Sequence, residues 1–137
     1  MNRMFLLTSV LALGVVVSSN VVKADDKDDL PSIKDVMKTA HGEAGIRAKV
    51  TKAVSEEEWA DAQAGAKDWI KQAEALAKNK PSKGTAASWK KLSGSYEKNV
   101  KALAKAADKK DVDGAKAALK TLGTSCGGCH GAHKPKK

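Results

Sequence analysis

Apolar residues recur at steps of three and four through most of this chain, and no segment alternates with a period of two, so the pattern predicts helix throughout. Ser32 can cap a first helix, with Asp35 three residues on as a short capping box. Ile33, Val36, Met37, Ala40 and Ala44 then share a face. Gly42 and Gly45 weaken its second half, which is expected to bend or end there. Ser55-Glu56-Glu57-Glu58 has the form of a second capping box, and its acids suit the positive end of a helix dipole. Trp59, Ala62, Ala66, Trp69, Ala73, Leu76 and Ala77 follow on one face, and the run from Asn79 to Gly84 ends that helix. Thr85 or Ser88 opens a third, whose Trp89, Leu92, Tyr96, Val100, Leu103 and Ala107 form the best-defined stripe in the chain. A fourth begins after Asp111 or Asp113 and aligns Ala115, Leu119, Leu122 and Cys126. Four helices joined by short loops predict an all-α, antiparallel four-helix bundle.

The first 24 residues break this pattern. Arg3 precedes an apolar run from Phe5 to Val17, and Val22-Lys23-Ala24 fits a cleavage site, so residues 1–24 read as a secretory signal peptide and 25–137 as one domain. The apolar run is shorter than the ~20 residues a membrane span needs, and no stable membrane insertion is expected. Loss of Arg3 and Lys23, with no acid, reduces the net charge from +9 to +7. In an exported protein this excess does not point to nucleic acid. It is either a solvated lysine surface or a field for docking an acidic partner.

The only two cysteines lie in Cys126-Gly127-Gly128-Cys129-His130, the C-x-x-C-H spacing at which haem c is attached. Residues three and four apart share a helix face. Both thiols can therefore reach the two vinyl groups of one porphyrin, with His130 placed to ligate the iron. A redox dithiol would require a βαβ context, and a structural zinc site usually splits its ligands into two distant pairs. Haem is the preferred reading. The last helix then presents the motif on its apolar face, so the haem points into the bundle, where it would supplement a core rich in alanine. Met37 is the one methionine after residue 24. In an antiparallel bundle the start of the first helix lies beside the end of the fourth, which makes Met37 the candidate for the iron's other axial position. His41, one turn further on, is the competing ligand, and His133 reads as a pocket-edge residue.

With its single C-x-x-C-H near the C-terminus, the chain resembles the class II cytochromes c, the cytochrome c-prime and cytochrome c556 group. The resemblance rests on Cys126, Cys129 and His130, supported by Met37. It implies a periplasmic monohaem electron carrier with redox proteins as partners; members of the group are often homodimers. No acid–base pair stands out in the sequence, so no enzyme is expected. A methionine at the position of Met37 implies six-coordinate, low-spin iron. Without ligation there, the alternative is a five-coordinate protein that binds NO or CO. The chain departs from the family pattern at Ile33, where arginine is frequent, and at His133-Lys134, where an aromatic and an arginine are frequent. It also departs between Gly42 and Glu58, a stretch poor in large apolar residues.

Overall fold

The computed structural model describes residues 30–136; the expected signal peptide and the acidic run after it lie outside the described residues. Five helices follow in order: α1 (Ile33–His41), α2 (Ile46–Ser55), α3 (Trp59–Lys78), α4 (Ala86–Asp108) and α5 (Val112–His133). Among the described residues there is no strand. No helix among them is long and apolar enough to cross a membrane.

Helices α1 and α2 together form one broken arm, so the five segments pack as four rods. The ends of these rods fix their directions. Gln63, early in α3, donates to the Ala107 carbonyl late in α4 at 3.1 Å. Asn79, just past α3, donates to the Pro31 carbonyl ahead of α1 at 3.0 Å. Ser88, in the first turn of α4, meets His133, in the last turn of α5, at 3.1 Å. Successive rods therefore run antiparallel.

The predicted caps divide into three that form and one that does not. Ser32, Thr85 and Asp111 each accept from the backbone N–H three residues on, satisfying one of the orphan donors of a helix start. Ser55 does not cap α3. It is the last residue of α2, and its hydroxyl donates back to the Lys52 carbonyl at 2.7 Å. Glu58 takes the N-cap position without a side-chain bond. The cause is that the first arm remains helical to Ser55, so the residues meant to start one helix must also end another. Glu57 turns this corner with φ 58°, and the Glu58 N–H reaches back to the Ala53 carbonyl, a left-handed helix stop. Lys110, with φ 54°, and the bond from Asp111 N–H to the Ala106 carbonyl repeat the device between α4 and α5.

The break between α1 and α2 is built on glycine. A Cβ on Gly45 would lie 2.9 Å from Gly42 backbone atoms and from the Thr39 carbonyl, and one on Gly42 would lie 2.4 Å from the Lys38 carbonyl. Ala44, expected on the inner face, falls in this break and is exposed. The stretch poor in large apolar residues continues after the break as α2, with Val50, Ala53 and Val54 buried.

A core of small and medium side chains occupies the half of the bundle where α2 ends and α3 begins. Val50, Val54, Ala62, Val100, Leu103, Ala107 and Ala115 belong to it. Towards the other end, Leu92 and Cys126 are only half-buried members of their stripes, because they border a cavity.

Candidate functional site

That cavity has a volume of about 900 Å³ and lies where the start of α1, the end of α3, the start of α4 and the end of α5 come together. It is near the top of the ~300–1,000 Å³ range in which proteins hold small molecules and cofactors. Met37 and His41 contribute from α1, Leu76 from α3, Trp89, Leu92 and Tyr96 from α4, and Cys126, Cys129 and His130 from α5. All four residues singled out from the sequence as haem or iron contacts therefore border one space. The cysteines are half-buried and His130 is exposed.

The cavity has a polarity of its own. Its cationic lining comes from Lys34, Lys38, Arg47 and Lys134, and among the described residues no aspartate or glutamate lines it. Arg47, the only arginine after residue 24, was not legible as a site residue. Its place depends on the glycine break that sets the path of α2. Its guanidinium reaches across to α5, where a Cβ on Gly123 would lie 2.9 Å from it.

His41 belongs to a chain of hydrogen bonds. Its Nε2 lies 2.8 Å from the Tyr96 hydroxyl, and that oxygen accepts from Trp69 Nε1. An indole N–H can only donate. Tyr96 keeps its own proton and a second lone pair, so it holds His41 Nε2 as donor or as acceptor according to the imidazole tautomer. Burial first, then the charges of Arg47 and His130, holds the His41 pKa below its ordinary value, which keeps the ring neutral. Burial pushes Tyr96 up to about 12, so it keeps its phenolic proton. Two buried side-chain nitrogens among the described residues lack a partner, His41 Nδ1 and Trp89 Nε1. Both belong to cavity-lining residues, and an unpaired buried nitrogen is uncommon enough to require a reason.

His133 lines the cavity, as expected of a pocket-edge residue, and is itself buried, at 5% exposure. Its Nδ1 lies 2.8 Å from the Lys83 carbonyl, which can only accept, and its Nε2 meets the Ser88 hydroxyl. Its ring stands edge-on to Trp89 at 5.2 Å. With both nitrogens engaged, His133 cannot complete a zinc site with Cys126, Cys129 and His130. Burial first, then Cys126, pushes the Cys129 thiol above its ordinary pKa.

Comparison with protein-family models, with characterised proteins and with solved structures returns no match.

Proposed function

We propose that this chain is an exported monohaem c-type cytochrome of the class II kind, an electron carrier of the periplasm. Cys126 and Cys129 hold the haem through thioethers, His130 is the proximal iron ligand and Met37 the distal one. The observation that carries this reading is a single cavity bordered by the complete C-x-x-C-H motif and by Met37.

The residues present fit the group. A porphyrin has broad apolar faces and two carboxylates, and the cavity offers an apolar floor with lysine and arginine and no lining acid. A bound haem supplies a one-electron ferric–ferrous couple, with a potential raised by histidine–methionine ligation. The protein's part is positional. Leu119 and Leu122 anchor α5 in the core, and buried His133 ties down its last turn, so the turn carrying Cys126, Cys129 and His130 is held at both ends. The first turns of α1 are fixed by the Ser32 cap and by buried Val36 and Ala40 on either side of Met37. Both axial candidates thus project from restrained helices, which limits rearrangement on electron transfer. The net positive charge favours redox partners with acidic docking surfaces.

Met37→Ala in the haem-bearing protein tests the assignment. Loss of the sulfur-to-iron absorption at the red end of the ferric spectrum, with a lower midpoint potential, is the expected result. An unchanged spectrum and potential would remove Met37 from the iron. High-spin ferric iron in the unsubstituted protein, with ready binding of carbon monoxide when reduced, would make it a gas-binding protein instead.

A further inference from the structure

Met37 and His41 stand one turn apart on α1 and line the same cavity. His130 borders the same space. Imidazole is a common metal ligand, so a pocket that presents both side chains needs something to choose between them. We propose that Tyr96 makes this choice: by holding His41 through Nε2, it keeps that imidazole off the iron and leaves the distal position to Met37. The inference rests on the haem reading above.

A neutral imidazole has one nitrogen with a free lone pair, and that is the atom a metal takes. In His41 the bond to Tyr96 engages Nε2 in either tautomer, and Nδ1 is itself buried. Trp69 fixes the hydroxyl in place. It is fully buried and donates to one lone pair of the Tyr96 oxygen. To reach iron, His41 would have to leave Tyr96 and strand a buried hydroxyl. The cost of an unmade buried hydrogen bond amounts to a bias of about tenfold to a hundredfold against histidine ligation. Methionine has no comparable tie: no hydrogen bond restrains the Met37 thioether, and its side chain is half-buried at the cavity wall.

The test is Tyr96→Phe in the exported, haem-bearing protein, followed by the ferric visible spectrum, electron paramagnetic resonance and the midpoint potential. The expected result is loss of the sulfur-to-iron band, a resonance typical of two axial nitrogens, and a lower potential. Tyr96→Phe/His41→Ala should restore the sulfur band, because the freed competitor is gone. Tyr96→Phe leaves the Trp69 N–H unpaired; if that variant folds poorly, Trp69→Phe/Tyr96→Phe removes the stranded donor and carries the same expectation. Tyr96→Phe that keeps the sulfur band overturns the proposal. So does a band lost equally with and without His41, or an unsubstituted protein whose iron is already held by two histidines. A protein that carries no haem fails the underlying reading instead, and its missing colour distinguishes that outcome.

Discussion

The two ends of this bundle are built on opposite principles. Where α2 meets α3 and α4 meets α5, the corners are tight left-handed stops at Glu57 and Lys110, and the interior is closed by valine, leucine and alanine. Gly65 shows how near the helices come: a Cβ there would lie 2.5 Å from Val50 Cγ2. At the other end the larger side chains Met37, Trp89, Leu92 and Tyr96 stand around about 900 Å³ of space instead of filling it. Small residues pack one half closely, while large residues wall the other. On the haem proposal, the aromatic and sulfur-bearing side chains would form the walls of the haem site, and the closed half would hold the helices around it.

Removing the haem should have the largest effect. Cys126→Ala/Cys129→Ala is expected to abolish haem retention and to lower the melting temperature by more than any single core truncation, leaving a broad transition. A sharp transition close to that of the unsubstituted protein would mean that the hollow half is stable without a filling. Next comes the closed half itself. Leu103 is fully buried, so Leu103→Ala should cost about 2–5 kcal/mol in denaturant unfolding. Leu92→Ala at the cavity wall should cost less in the haem-free double-cysteine background. Equal losses would mean that the halves are packed alike. Gly65→Ala pushes a methyl group into Val50 and should cost about 1–3 kcal/mol.

The smallest effect is a pH dependence at the cavity. His41 takes a proton less readily folded than unfolded, chiefly through burial. Below the ordinary histidine value of 6.5 the unfolded chain therefore binds more protons. Stability should be full above that pH, fall as pH drops through the interval down to the native His41 pKa, and level off below it. Chemical unfolding at a series of pH values should show this slope, and His41→Gln should flatten it.

Much of the helical framework was legible in the sequence, because its features are local. Thr85 and Asp111 cap the helices they were expected to cap, and the α4 stripe from Trp89 to Ala107 is buried apart from Leu92. Ser55 misled for a physical reason: a serine followed by three glutamates has the form of a helix start, but the preceding helix had not yet ended. The signal for α2 was present in Ile46, Val50, Ala53 and Val54, which fall four, seven and eight residues apart from the first, though two glycines ahead of them obscured it. The cavity was legible only as a set of chemical types. Cys126, Cys129, His130 and Met37 stood out by spacing or by rarity. The bond between Tyr96 and His41 spans 55 residues, and Arg47 reaches the site only through the break in the first arm. Neither leaves a trace in local pattern.

The central claim, a haem fixed to α5, is tested most directly by the intact mass of the exported protein after denaturation. The account predicts the mass of residues 25–137 plus one haem, retained in denaturant because the attachment is covalent. A mass equal to the polypeptide alone, with Cys126 and Cys129 free or joined to each other, would contradict it.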